Sequence, residues 1–372
     1  MKKKALFIVL IILLVAFLTS CNEANKDNYA ISKQSYYMYL DTISTVSVEY
    51  NVNEKTKDTV AKELNVIHNI LFDIEKEFSI EQTLYMMNRG IVESTLMKVN
   101  KASGINSVEV SDGFLEVFEK AKEIYDLSNG GFNPTIGPLT KLWDISGRVN
   151  QNIQSIPTSQ EIDAYLSLVD FDKVEINKEN KTVFLKTKGM SLDFGAIAKG
   201  YACDKVMEYL KPLGYTYISV NLGGNLFVWG SSKIYESEGR KVGTEIQNPL
   251  DPATTIIRTE ETNMTVVTSG IYERYIEFNG KKYHHILDPK TGYPFENELL
   301  MVTIIGSNSC ICDGLSTGIF SLGLEQGIET IKQLDGYSAF FVTKNNEIYS
   351  VGNIEFELTT TGKNNYKLIN VE

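Results

Sequence analysis

The segment His284–Gly323, HHILDPKTGYPFENELLMVTIIGSNSCICDGLSTGIFSLG, decides how the rest of the chain is read. It holds two of the three histidines, an Asp-Pro-Lys-Thr-Gly turn, a predicted strand over Leu299–Gly306 and an apolar helix over Ile311–Leu322. Ile311, Leu315, Ile319 and Leu322 form the stripe of that helix, while Asp313 and Thr317 lie one turn apart on a shared face. A first-turn aspartate is favoured by the helix dipole alone, and a solvated threonine needs no function. The same pair also supplies oxygen donors of the kind a hard cation such as magnesium takes from protein. His284 and His285 adjoin on a strand, so they point to opposite faces and only one can share a site with Asp313. A neutral imidazole is the usual general base for a hydroxyl. Taken singly, the histidine pair and the Asp-x-x-x-Thr helix are each read more simply as structure.

Immediately upstream, Asn279-Gly280 signals a hairpin between strands over Tyr272–Phe278 and Lys282–Leu287. Met264–Ser269 is a further strand, and Tyr215–Gly230 is a strand, a Gly-Gly turn and a strand, with Asn221 and Asn225 flanking the turn. Met190–Gly195 (MSLDFG) leads into a helix over Ala196–Leu210, an anion-friendly succession of strand end, Asp, Gly and helix N-terminus. Asp193 is equally accounted for as a helix cap. Gly130–Gly147, with two prolines and four glycines, is a shaped loop anchored by Phe132, Leu139 and Trp143. Helices are expected over Thr59–Phe78, Asp112–Leu127 and Ser159–Leu168, a strand over Tyr36–Tyr50, and a hairpin over Lys173–Lys186. Downstream, Leu324–Leu334 is helical and Tyr337–Val351 is a hairpin turning at Asn345-Asn346. Hairpins mixed with helices indicate an α+β fold with a largely antiparallel sheet.

The 372 residues are 43% hydrophobic and 22% charged, with a net charge of −11. An acidic surface excludes a non-specific nucleic-acid binder, which needs lysine and arginine to neutralise phosphates. Lys2–Lys4, the apolar run Ala5–Phe17 and the ending Leu18-Thr19-Ser20-Cys21 form an export leader too short to span a bilayer, and its ending resembles a lipobox. The expected division is a lipoprotein signal peptide over 1–20, a tether over 21–35 beginning at lipidated Cys21, and one domain over 36–372. Cys203, Cys310 and Cys312 give no complete disulfide framework and are expected as small buried hydrophobes. No G-x-G-x-x-G or Walker loop is present, nor G-x-S-x-G, His-Glu-x-x-His or Ser-x-x-Lys.

The order FNPTIGPLTKLW, SLDFGAIAKGYACD, NLGGN, HHILDPKTGYP and CDGLSTGIFSLG resembles the ApbE-like family of FAD:protein FMN transferases over roughly Tyr37–Leu324. The lipoprotein leader is usual in that family too. The resemblance implies an ApbE-like, T-fold-related α+β domain of mixed, largely antiparallel sheets with packed helices. It places Leu40, of Leu40-Asp41-Thr42, near the bound flavin, and Gly131, Phe132 and Asn133 at the FAD site. There the family has Ala-Phe-Asp, so Gly131 and Asn133 are departures. Asp193 and Lys199 match FAD contacts of an Asp-Leu-Gly-x-x-x-Lys-Gly motif, with Phe194 replacing Leu, and Leu287 is a further contact. Magnesium would be held by the Ala196 carbonyl, Asp313 and Thr317, and Ser316 stands where some members have a further Asp. His285 matches the catalytic histidine. A family tyrosine contact falls within Ser79–Asn88, a segment that is shorter here.

The chemistry implied is attack of a partner flavoprotein's threonine hydroxyl on the FMN-side phosphorus of FAD, with release of AMP. The protein would be exported and lipid-anchored at the outer face of the bacterial cell membrane, or on the periplasmic side. Its partners would be FAD, the acceptor flavoprotein and the membrane, and no nucleic acid. Two alternatives share the motifs: a magnesium-dependent FAD pyrophosphatase, and a flavin-binding lipoprotein without catalysis.

Overall fold

The near-continuous apolar run over 299–306 forms an interior strand with packed layers on both faces. The computed structural model describes residues 28–240, 242–260 and 262–371. The expected leader and Cys21 therefore lie outside the described residues. A nine-stranded sheet takes its strands in chain order: β1 (Tyr29–Tyr39), β2 (Thr42–Asn51), β3 (Tyr217–Leu222), β4 (Asn225–Gly230), β5 (Met264–Gly270), β6 (Leu299–Gly306), β7 (Ser338–Thr343), β8 (Glu347–Val351) and β9 (Lys367–Val371). Neighbours are antiparallel throughout, except that β9 runs parallel to β8.

Four main helices pack on one face: α1 (Lys57–Phe78), α2 (Asp112–Leu127), α3 (Ala198–Leu210) and α4 (Ser309–Lys332). Alternation along β6 assigns the layers. Val302 and Ile304 join the helix-side core, while Met301 and Ile305 join Ile246, Ile256 and Ile257 of a three-stranded sheet on the other face. Thr56 and Ser111 cap α1 and α2 by accepting from Thr59 N–H and Phe114 N–H. α4 is capped twice. Asn308 Oδ1 accepts from Ile311 N–H, and the Asp204 carboxylate on α3 accepts from Ser309 and Cys310 N–H, each at 2.8 Å. This ties the middle of α3 to the start of α4.

Several expectations are revised. The strand read over Tyr36–Tyr50 is a hairpin, reversed at Leu40 and Asp41 with φ of 49° and 55°. Neither is Gly or Asn, so the turn carries no sequence signal. β1 begins at Tyr29, so the last seven residues of the expected tether lie in the sheet. β1 is an edge strand with one flank in water, which admits the polar Ser32, Lys33, Gln34 and Ser35 among them. The loop over 130–147 contains a 3₁₀ turn, Pro134–Ile136, and short helices Gly137–Trp143 and Ile145–Asn150. The strand expected from Tyr272 starts at Tyr275, and strands Thr244–Asn248 and Asp251–Thr259 were unanticipated. The helices read over 311–322 and from Leu324 run on as α4, interrupted only at Gly323 (φ 75°, ψ −173°). The three cysteines are free and buried, as expected.

Candidate active site

The first half of α4, Ser309–Phe320, is enclosed by α2, α3 and the sheet, so Asp313 and Ser316 face protein, whereas Glu325, Gln326, Glu329 and Lys332 farther along are exposed. Asp313 is buried, and its Oδ2 accepts from Gly200 N–H on α3 at 2.8 Å. Gly200 stands in the first turn of α3, where N–H groups have no intrahelical acceptor, and Asp313 supplies one. The Ala196 carbonyl lies just ahead of that turn, at the entry to the helix. Only glycine permits this approach, since a Cβ at Gly200 would lie 2.2 Å from the Ser309 carbonyl oxygen. Thr317 follows one turn along α4 and contacts Ser269 Oγ at the end of β5 (3.1 Å). Ala196, Asp313 and Thr317 thus offer a carbonyl, a carboxylate oxygen and a hydroxyl. That all-oxygen set with a single carboxylate fits magnesium. Among the described residues no cluster of three or more His, Cys, Asp or Glu could hold a metal, so a zinc-type site is not indicated.

The two histidines divide as strand alternation requires. His284 is buried, with Nε2 2.9 Å from the Phe295 carbonyl and its ring edge-on to Phe320. His285 turns the other way. Its backbone N–H donates to the Arg274 carbonyl, and its Nδ1 lies 3.4 Å from the same oxygen. A carbonyl only accepts, so Nδ1 carries the proton and the Nε2 lone pair is free. Lost hydration, reinforced by the positive charge of Arg274, lowers the His285 pKa to about 4. At neutral pH the imidazole is an uncharged base. Lys199 lies near enough to contribute to that depression, and it also acts on Glu273, whose carboxyl is raised by lost hydration. Asp313 adds to the rise of Glu273. The fields of Lys199, Glu273, Asp313 and His285 therefore overlap in one place.

Asp193 lies at the entry to α3. Its Oδ1 accepts from Gly195 N–H and its Oδ2 from Thr140 Oγ1, both at 2.8 Å, while its own N–H donates to the Pro134 carbonyl. Asn100 fixes the preceding residue by exchanging two hydrogen bonds with the Leu192 backbone (2.7 and 2.9 Å). The segment 130–147 is fastened on its other side as well, where Trp143 Nε1–H donates to the Gly292 carbonyl of the Asp-Pro-Lys-Thr-Gly turn (2.8 Å).

Comparison with known proteins places this arrangement. The sequence model described as the ApbE family matches residues 40–341. A FAD:protein FMN transferase of Klebsiella pneumoniae is 38% identical over 268 residues, 72% of this chain and 80% of that protein. Another from Treponema pallidum is 30% identical over 289 residues, 74% of this chain and 77% of that protein. The solved structure of the flavin transferase ApbE from Vibrio cholerae superimposes with a TM-score of 0.71 at 21% identity, covering 90% of this chain and 99% of that one. The chain belongs to the ApbE family.

Within this ApbE-family chain, Asp193, Ala196, Lys199, Asp313, Thr317 and His285 are gathered along α3, α4 and the end of the 281–284 strand. Leu40 stands apart. It tops the β1–β2 turn, at the same sheet end as the β3–β4 turn and the end of β5. Three to four strand spacings separate it from Ser269, roughly 14–19 Å. Gly131 abuts α4, where a Cβ would meet Ser321 Oγ at 1.9 Å, which explains glycine in place of the family's alanine. Phe132 is buried in the core. Asn133 Oδ1 is engaged by Thr135 N–H and Oγ1. Leu287 is buried among Leu139, Trp143 and Ile276, and pairs through its backbone with Pro294.

Sequence reading missed Ser269, Thr140, Asn100, Glu273 and Arg274. Each is defined by a partner more than ten residues away, and no local pattern marks it. Tyr85 had a signal, as the one tyrosine in the segment where the family has a tyrosine contact. Its ring stacks on Tyr39, next to Leu40, at 4.3 Å and 6°.

Proposed function

We propose that this protein is an FAD:protein FMN transferase that places FMN on a threonine hydroxyl of an exported flavoprotein. The observation that carries the reading is the bond from Gly200 N–H, in the first turn of α3, to the buried Asp313 carboxylate of α4. It holds the entry to α3, with the Ala196 carbonyl, against Asp313 and Thr317, on one side of a proposed cleft whose other side is neutral His285. FAD would span that cleft, its isoalloxazine ring toward Leu40 and Tyr85 and its pyrophosphate at the N-terminus of α3. Asp193, held by Thr140 and Gly195, and Lys199 would orient the dinucleotide. Magnesium, held by Ala196, Asp313 and Thr317, would neutralise the pyrophosphate and the charge developing on the departing AMP.

His285 Nε2 accepts the threonine proton as the threonine oxygen bonds to the FMN-side phosphorus. The phosphoanhydride bond breaks, and AMP leaves with the bridging oxygen. The negative charges of FAD offset Arg274 and Lys199 and raise the basicity of His285 when the substrate is in place. Little reactive machinery is needed, because in-line transfer depends on alignment and charge stabilisation. The leader, with Cys21 as the lipidated residue, would tether the enzyme to the outer face of the cell membrane, where exported acceptors are found.

The test is incubation with FAD, magnesium and an acceptor domain bearing an exported flavoprotein's threonine site, followed by intact mass. A gain of one FMN on the acceptor is expected. Free FMN and AMP with an unmodified acceptor would overturn the transferase reading in favour of hydrolysis.

A further inference from the structure

The hydroxyls of Ser269, Ser316 and Thr317 form a chain whose direction is fixed at one end. Ser316 Oγ lies 2.7 Å from the Asp313 carbonyl, which can only accept, so Ser316 spends its single proton there. The 2.7 Å contact between Ser269 and Ser316 must then run from Ser269 O–H to Ser316 Oγ. Ser269 has no second proton. Its 3.1 Å contact with Thr317 therefore runs from Thr317 O–H to Ser269 Oγ. The order Thr317 to Ser269 to Ser316 to the Asp313 carbonyl is the one that satisfies all three contacts.

This order has a chemical consequence at Thr317. A neutral hydroxyl that ligates a cation must aim a lone pair at it and its proton elsewhere. Here the proton is committed to Ser269 and both lone pairs of Oγ1 stay open. Ser269 is placed for this by strand alternation, since it shares the helix-facing side of β5 with Thr265 and Val267. We propose that Ser269 is a positioning residue that turns Thr317 into a metal ligand, with Ser316 setting the direction of the relay. The inference rests on the reading of Ala196, Asp313 and Thr317 as magnesium ligands. It also gives Ser316 a role distinct from that of the acidic ligand found there in some relatives. Without Ser316 the Ser269 proton loses its acceptor and turns onto Thr317 Oγ1, occupying a lone pair.

The experiment measures Mn²⁺ binding to the full chain by paramagnetic resonance, with FAD present, and the magnesium dependence of FMN transfer alongside it. Ser269→Ala is expected to weaken Mn²⁺ binding about tenfold, the usual loss when a group orienting a metal ligand is removed. The metal KM should rise while kcat recovers at saturating magnesium, and Ser269→Thr should restore the affinity. Ser316→Ala should weaken binding in the same sense, and the double variant should be no weaker than the weaker single one, because both act through Thr317. Thermal melts without metal identify any variant that fails to fold, in which case the other single variant decides. Wild-type Mn²⁺ affinity in a folded Ser269→Ala or Ser316→Ala protein, or losses that add, would overturn the relay. Unchanged affinity in Thr317→Ala would instead overturn the magnesium reading, and the relay with it.

Discussion

The α3–α4 wall of the proposed cleft and its β1–β2 wall hold their side chains differently. On the first, Asp313 and Ser316 are buried and placed by bonds across elements, Asp313 accepting from Gly200 N–H of α3 and Ser316 Oγ meeting Ser269 Oγ of β5. On the second, a turn of two left-handed residues and the short helix Leu84–Asn88 meet through the Tyr39–Tyr85 stack, with Ile43, Ile80, Leu84 and Met87 exposed nearby. The difference matches what each wall would hold. Phosphoryl transfer depends on sub-ångström placement of donors, whereas an aromatic ring gains most of its binding from area and tolerates small shifts. The first wall should therefore be brittle to substitution and the second forgiving.

The largest effect is expected from Asp313→Ala, which removes the only carboxylate of the metal set and should abolish magnesium-dependent turnover. Retained turnover would dissolve the contrast between the walls. His285→Ala should lose about 10²–10⁴-fold in transfer while FAD binding persists, read by single-turnover kinetics alongside equilibrium FAD titration. Loss of FAD affinity instead would recast His285 as a binding residue. Gly200→Ala forces a Cβ into the Ser309 carbonyl and should depress melting temperature and turnover together, a coupling that calorimetry and activity assays would expose. Tyr85→Ala, on the other wall, should change FAD affinity by less than about tenfold and leave Mn²⁺ affinity unaltered. An effect on the metal would show that the two walls are not independent.

The smallest effect concerns pH. Lost hydration lowers the His284 pKa to about 4, so between that value and about 6.5 the unfolded chain binds a proton that the folded chain does not. Stability supplied by this group is full above about 6.5 and is lost as pH falls through about 4, at up to about 1.4 kcal/mol per pH unit. Denaturant melts across pH 4–7 measure this slope. His285, lowered to about 4 as well, acts in the same direction, so melts of His285→Ala isolate the His284 part. A flat profile there would mean that folding leaves the His284 pKa unchanged.

Much of the architecture was legible because it rests on local rules. The stripe of α1, the Ser111 cap of α2, the Asn279-Gly280 turn and the doubly buried run over 299–306 are all periodicity or capping signals. The β1–β2 turn was not legible, because Leu40 and Asp41 adopt left-handed backbone without glycine or asparagine. Of the candidate site, Asp193, Lys199, His285, Asp313 and Thr317 stood out through their motifs, whereas Asn100, Thr140 and Ser269 become visible only through partners 92, 53 and 47 positions away in the chain.

By itself, the sequence determined that Asp313 and Thr317 share a helical face, that only one of the paired histidines can face them, and that the motif order is that of the ApbE family. Helical and strand periods are properties of the backbone and need no partner. Tertiary structure alone decided that the first half of α4 is enclosed, that Gly200 gives its N–H to Asp313, and that Ser269 takes the proton of Thr317. Those are contacts between elements distant in the chain, and their directions follow from which oxygen can only accept.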